Sequence, residues 1–354
     1  MIVLGKLLTL QRNIKTQLLL GFLLFCLNCS TPTTQFSLSG ETMGTTYSMK
    51  IVTDKSFNSK KIKGSVDSIL TIFNKQMSTW DPESEISTFN RWNSSDSFKV
   101  SDYFYDVVVK ALSISARSQG MFDITVFDLL SLWGFGPNPN SGIPGKDKID
   151  SVLTYTGYRF LNAEKNSLIK KHKNTKIDLN AIAKGYGVDI IFNYIKSLGY
   201  ENIFIEIGGE VRFAGQNKNL GKWSIGLENP PSNSINSEPP FFGVFQSKSA
   251  SIATSANYRN FVDIDGTILG HTINPKTGFP VQTNVLSVSV IAETCMEADA
   301  WATALMSLPF KDGLKILDNT NNIGAVWLLK TNDGKKVIFK KGEFEIFDPI
   351  FDIN

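Results

Sequence analysis

Residues 176–187, Lys-Ile-Asp-Leu-Asn-Ala-Ile-Ala-Lys-Gly-Tyr-Gly, can be accommodated in few kinds of fold. Their pattern predicts a short strand, Lys176 to Leu179, running into a helix start that carries a carboxylate, a lysine one turn in and two close glycines. Gly185 and Gly187 each cost a helix roughly 1 kcal/mol relative to alanine, so something must approach the backbone closely there. A helix N-terminus offers unpaired N–H groups and partial positive charge, and beside Lys184 a phosphate is the natural guest. A strand-to-helix junction with a surface lysine and glycines that ease packing accounts for the same residues equally well.

Upstream, Thr46 to Thr53 alternates as a strand, and Ile62, Val66, Ile69, Leu70, Phe73 and Met77 recur at helical spacing in a helix ending near Trp80. A second helix is predicted from Ser101 to Arg117, with Tyr105, Val108, Val109 and Leu112 on its apolar face. A Gly/Pro/Asn-rich loop fills Trp133 to Gly145, long enough to be functional. Downstream come strands at Ile203 to Ile207 and Val211 to Phe213, split by Gly208-Gly209, and a hairpin of Phe261 to Ile264 with Thr267 to Ile273. A strand from Val285 to Ile291 and a helix from Glu297 to Leu308 follow. Strands and helices mix without strict βαβ alternation, which predicts an α+β fold rather than a doubly wound α/β one.

The first thirty residues read as an export signal: a basic start, an apolar run from Leu18 to Leu27, then Cys29. The run is about ten residues, short of the roughly twenty that span a bilayer. Leu27-Asn28-Cys29 resembles a degenerate lipobox, with Cys26 and Asn28 departing from the usual pattern; a plain signal peptide or an uncleaved anchor fits the same run. The expected organisation is a signal peptide over 1–28, a lipidated polar tether over 29–35 and one catalytic domain over 36–354. Lys6, Arg12 and Lys15 lie in the leader, so 36 basic residues become 33, against 33 acidic ones. A neutral mature chain gives no electrostatic argument for nucleic acid. With Cys26 removed and Cys29 acylated, Cys295 stands alone and no disulfide framework exists.

Neither G-x-G-x-x-G nor G-x-x-x-x-G-K-[ST] occurs. His172 and His271 are the only histidines, so a standard zinc site is unsupported and any metal must be a hard cation on oxygen. Thr294 and Glu297 have the form of a capping box. Asp299 and Thr303, at i and i+4, project carboxylate and hydroxyl from one helix face, a pair suited to Mg²⁺. Taken alone, however, they are better explained as an Asp on a solvated face beside an ordinary Thr. His271, in His-Thr-Ile-Asn-Pro-Lys-Thr-Gly, and Asp123, in Gly-Met-Phe-Asp-Ile-Thr-Val, are equally compatible with structural roles.

The ordered set is more specific than its parts. Met43-Gly-Thr-Thr-Tyr47, Met77-Ser-Thr-Trp80 with Ser84 and Asn90, Gly120-Met-Phe-Asp-Ile-Thr125 and Trp133-Gly-Phe-Gly136 occur in sequence. Asp178-Leu-Asn-Ala-Ile-Ala-Lys-Gly185, Gly208-Gly209, His271-Thr-Ile-Asn-Pro275 and Ala298-Asp-Ala-Trp-Ala-Thr303 follow. This series strongly resembles the ApbE family of FAD:protein FMN transferases, from about Phe36 to the C-terminal strands. The resemblance implies mixed β-sheets packed with helices in a layered, T-fold-like architecture. It also implies an exported, lipid-anchored enzyme on the periplasmic or extracytoplasmic side of a bacterial membrane, binding FAD and Mg²⁺ and moving FMN onto a Thr or Ser of a membrane flavoprotein. By the same matching, Met43, Trp80, Met121, Phe122, Asp123, Asp178, Lys184 and Ile273 contact FAD, with Lys184 at the pyrophosphate. The Ala181 carbonyl, Asp299 and Thr303 match the metal site, and His271 is the candidate general base. Two positions depart from many relatives: Glu210 after the double glycine, and the bulky Met121. A hydrolase releasing FMN and AMP, and a non-catalytic flavin carrier, are the rival readings; acceptors in ion-translocating NADH:quinone reductase or other electron-transport complexes are expected by analogy.

Overall fold

Apolar residues alternating along the strands place one face of a large sheet against helices and the other against a smaller sheet. A computed structural model describes residues 33–230, 239–256, 261–264, 267–270 and 272–354. The leader, Cys29 and His271 lie outside the described residues. In chain order the strands are β1 (Thr34–Thr42), β2 (Thr45–Thr53), β3 (Phe98–Lys99), β4 (Leu161–Glu164), β5 (Ser167–Lys170), β6 (Asn202–Ile207), β7 (Glu210–Ala214) and β8 (Trp223–Glu228). They continue as β9 (Phe241–Ser247), β10 (Ala250–Ala256), β11 (Phe261–Ile264), β12 (Thr267–Gly270), β13 (Val285–Ala292), β14 (Gly324–Lys330), β15 (Lys336–Lys341) and β16 (Ile346–Phe347). The helices are α1 (Ser59–Met77), α2 (Glu85–Arg91), α3 (Asp102–Arg117), α4 (Phe127–Leu132), α5 (Lys146–Leu153), α6 (Ala183–Ser197), α7 (Cys295–Met306) and α8 (Phe310–Asp318).

The main sheet has the order β1-β2-β6-β7-β10-β13-β14-β15, and its neighbours pair antiparallel. Ile203, Ile205 and Ile207 of β6, with Tyr47, Met49 and Ile51 of β2, meet Val66 and Leu70 of α1 and Val188 and Ile191 of α6. On the opposite face Val52, Phe213 and Val326 pack with Trp223, Phe242 and Phe245 of the smaller sheet β8-β9-β16. Period-2 alternation thus gives the sheet an apolar packing surface on each face. α7 is apolar nearly all round because it sits over β10 and β13 with α3 and α6 alongside. The mixed α+β fold agrees with the sequence reading.

Several boundaries differ from it. β1 begins at Thr34, so residues assigned to the tether already pair with β2. α1 starts behind an Asn58 cap and stops at Met77, leaving Trp80 in a turn. On α3 the buried apolar residues are Phe104, Val107, Val108, Ala111 and Ile114, whereas Val109 is exposed, so the apolar face is displaced by about one position from the expected one. α7 begins at Cys295 and ends at Met306, and β12 ends at Gly270. Lys176–Leu179 is not a strand: no neighbouring strand pairs with it. The helix after it begins only at Ala183, so Asp178 lies before it and Lys184 in its first turn. Among the described residues no helix is long and apolar enough to cross a membrane.

Candidate active site

The first turn of α6 meets the middle of α7. A Cβ on Gly185 would run into the Cys295 carbonyl oxygen and stand 2.8 Å from Asp299 Cβ. One on Gly187 would stand 2.7 Å from Met43 Cε. Both glycines are therefore explained by packing, of helix on helix and of Met43 on helix, rather than by a ligand against the backbone. The close approach also delivers Asp299. Its Oδ2 accepts from Gly185 N–H at 3.0 Å. The first closed turn of α6 runs from Tyr186 N–H to the Ile182 carbonyl, which leaves the Ala181 carbonyl just outside the helix. Far from lying on a solvated face, Asp299 is 4% exposed. Thr303, one turn further along α7, is half-buried with its Oγ1 3.4 Å from Ser255 Oγ.

Lys184 is half-buried and bonds Glu210 Oε1 through its ammonium. Glu210 opens β7 directly after Gly208 and Gly209, both at positive φ, which turn the chain back so that the carboxylate faces α6. Glu210 Oε2 is buried and has no hydrogen-bond partner among the described residues. Burial opposes the charge on Lys184, but Asp299 and Glu210 outweigh it and hold its pKa above the usual lysine value. Burial raises the pKa of Glu210 and of Asp299 above the ordinary carboxylate range, despite the nearby ammonium. Two buried carboxylates thus act on one lysine.

Asp189, also on α6, fixes the start of α7. Its Oδ1 accepts from Cys295 N–H at 3.0 Å and from Arg212 Nη1 at 2.6 Å, and its Oδ2 accepts from Met296 N–H at 2.8 Å. A carboxylate at the first N–H groups of a helix is electrostatically favoured. The predicted capping box is half formed: Thr294 Oγ1 accepts from Glu297 N–H at 3.3 Å, but the Glu297 carboxylate pairs with Arg117 at 2.6 Å.

The remaining predicted positions lie on the segments around this junction and, for Ile273, apart from it. Asp123 Oδ1 accepts from Thr125 N–H and Oγ1, at 2.8 and 2.6 Å, and Oδ2 accepts from Tyr158 N–H at 2.6 Å. Asp123 thereby holds its turn, with burial raising its pKa. Met121 and Phe122 are buried beside it, while the Trp80 ring is 65% exposed. Tyr158 and the stem of Lys276 pass the Gly120 backbone, which brings the segment after His271 to the Met121 turn. Asp178 N–H donates to the Ile124 carbonyl at 2.7 Å, joining that turn to the segment before α6. The Asp178 carboxylate accepts from Asn180 N–H and Nδ2, at 2.8 and 2.9 Å, and burial pushes its pKa up to about 6. Ile273 packs apart from the charged junction, with Leu129, Trp133 and Ile149.

The donors fit a hard cation. The Ala181 carbonyl, a carboxylate with its Oδ1 unbonded to protein among the described residues, and a hydroxyl one turn on are all oxygens. No group of three or more His, Cys, Asp or Glu side chains among the described residues could hold a metal. A cation here would therefore rely on phosphate and water for its other positions. Glu210 and Asp189 were not among the expected site residues. The Gly208-Gly209 turn pointed toward Glu210; nothing local marks Asp189.

Comparison with known proteins places the chain in a family. The sequence profile of the ApbE family matches residues 43–327. The FAD:protein FMN transferase of Vibrio cholerae is 37% identical over 319 residues, covering 90% of this chain and 94% of the relative. That of Haemophilus influenzae is 32% identical over 314 residues, covering 86% and 90%. The solved structure of the flavin transferase ApbE from Vibrio cholerae superposes with a TM-score of 0.78 over 87% of this chain and 97% of that one. The apo flavinyl transferase ApbE of Pseudomonas stutzeri, 29% identical, gives 0.77 over 87% and 94%. With the matched region spanning both helices of the junction and the strands beneath them, this chain belongs to the ApbE family.

Proposed function

We propose that the protein transfers FMN from FAD to a Thr or Ser hydroxyl of an acceptor flavoprotein in a membrane redox complex, with Mg²⁺ bound and AMP released. The observation that carries this reading is the convergence of Lys184, Glu210 and Asp299 at the α6/α7 junction. In the reaction the acceptor oxygen forms a bond to the FMN-side phosphorus, the P–O bond to the bridging oxygen breaks, and AMP departs with that electron pair. Asp299, Thr303 and the Ala181 carbonyl would hold Mg²⁺, which would supply neutralisation of the diphosphate charge. Lys184 supplies a fixed positive charge on the same group, and the rigid junction holds it without reorganisation at the moment of reaction. His271 takes the acceptor proton, for which an imidazole is suited near neutral pH. Trp80 offers an open ring for stacking a flat heterocycle. Acylation at Cys29 would hold the enzyme at the extracytoplasmic face, where such acceptors are displayed.

The test is incubation with FAD, Mg²⁺ and an acceptor bearing a Ser/Thr-Gly-Ala-Ser/Thr segment, with and without EDTA. Flavin fluorescence that stays with the denatured acceptor, and is lost with EDTA, supports transfer. FMN and AMP release with an unlabelled acceptor would instead make the protein a hydrolase.

A further inference from the structure

Helix α2 has no part in the chemistry above, yet each of its ends is tied to a different segment of the site. At its N-terminus Ser84 Oγ donates to the Ser78 carbonyl at 2.6 Å and Ser84 N–H to the Asp81 carbonyl at 3.1 Å. These bonds close the turn that carries Thr79 and Trp80. At its C-terminus Asn90 bonds both backbone groups of one residue. Its Nδ2 donates to the Ile177 carbonyl at 2.8 Å, and Ile177 N–H donates to its Oδ1 at 2.8 Å.

That pair of bonds reproduces one rung of an antiparallel ladder, with a side-chain amide in place of the second strand. It explains how Ile177 satisfies both of its backbone groups without a strand beside it. With Asp178 N–H bonded to Ile124 as well, the chain enters Asp178, Ala181 and Lys184 from a fixed point. The far end of α2 is itself held. The buried Lys170 donates through Nζ to the Trp92 carbonyl at 2.8 Å and the Asn90 carbonyl at 3.4 Å, and lies 4.6 Å from the centre of the Phe89 ring. A cation is favoured where a helix ends. Trp80 and Asn90 also line one cleft of about 660 Å³.

We propose that Asn90 is a positioning residue for FAD, and that α2 is the strut through which it sets Trp80 relative to the Asp178–Lys184 segment. The proposal rests on the FAD reading above. Asn90 acts through the Ile177 backbone, so its effect is on where the two binding segments stand, and the contributions of Trp80 and Asn90 to FAD affinity are coupled.

A double-mutant cycle on the full chain tests this, with FAD affinity read from flavin fluorescence for wild type, Asn90→Ala, Trp80→Ala and the pair. Asn90→Ala is expected to weaken FAD binding about tenfold, the scale of one or two neutral hydrogen bonds. The double variant should fall short of the product of the single effects by about fivefold, because Trp80 is misplaced once the strut is cut. Asn90→Asp keeps the acceptor for Ile177 N–H, loses the donor, and should fall between wild type and Asn90→Ala. Effects that multiply within about twofold, or variants that melt earlier yet bind FAD as wild type does, overturn the proposal. Failure of both Asn90 variants to fold assigns the residue to the fold alone and overturns it too. A wild-type protein that binds no FAD defeats the transferase reading, and the proposal with it; a wild type that binds, with independent variants, defeats only the strut.

Discussion

Gly185 N–H donates to Asp299 Oδ2 at 3.0 Å, across residues 114 positions apart in sequence. This bond is possible only because position 185 lacks a side chain: a Cβ there would run into the Cys295 carbonyl and Asp299 Cβ. Gly185→Ala should therefore push α6 and α7 apart and destabilise the fold by about 1–3 kcal/mol, as overpacking does. Urea unfolding measures the loss, and FAD affinity should fall with it because Lys184 moves with α6. An unchanged midpoint would mean that the helices have room to spare.

Glu210 holds Lys184 but also competes with any diphosphate for it. Glu210→Gln keeps an oxygen for the ammonium and removes the competing charge. FAD should then bind as tightly as before or a few-fold tighter, while turnover falls about tenfold because the lysine is held less firmly. Separate measurement of FAD affinity and single-turnover transfer distinguishes the two effects. Weaker binding with normal turnover would contradict this role for the pair.

Removal of metal should abolish transfer, and the site residues should set how much metal is needed. Asp299→Asn and Thr303→Val are each expected to raise the Mg²⁺ concentration for half-maximal transfer by about tenfold, within the range seen when cation-site groups are lost. Ser255→Ala, whose hydroxyl lies 3.4 Å from Thr303 Oγ1, should change it by less than about threefold. Titration of transfer rate against Mg²⁺ checks all three variants. Identical curves for wild type and Asp299→Asn would remove Asp299 from the metal site.

Asp178 provides a pH signature. Its pKa is raised by burial from 3.8 to about 6 in the folded protein. A raised carboxylate contributes stability at low pH, where both states are protonated, and loses it as pH climbs between the two values. Roughly 3 kcal/mol is at stake, because the folded and unfolded carboxyls differ about a hundredfold in acidity and each tenfold is worth about 1.4 kcal/mol. Unfolding midpoints should fall as pH rises from about 4 to 6, and Asp178→Asn should flatten that slope because it cannot ionise. Parallel curves for the two proteins would rule out Asp178 as the source.

The sequence alone determined the α+β class, the main helices and strands, and the family, because burial repeats at 3.6 or 2 residues and the motif order is local information. It also placed Asp299 and Thr303 on one face of one helix, since that depends only on helical spacing. Tertiary structure decided what those residues meet. Whether Gly185 admitted a ligand or a neighbouring helix, whether Asp299 was solvated or buried, and whether Lys184 was free or held by Glu210 depended on partners distant in sequence. The same is true of Asp189 capping α7, 106 positions away, and of Asn90 standing in for a strand beside Ile177, 87 positions away. Lys176–Leu179 has the residues of a strand, but a strand exists only where a second backbone lies alongside, and here a side-chain amide took that place.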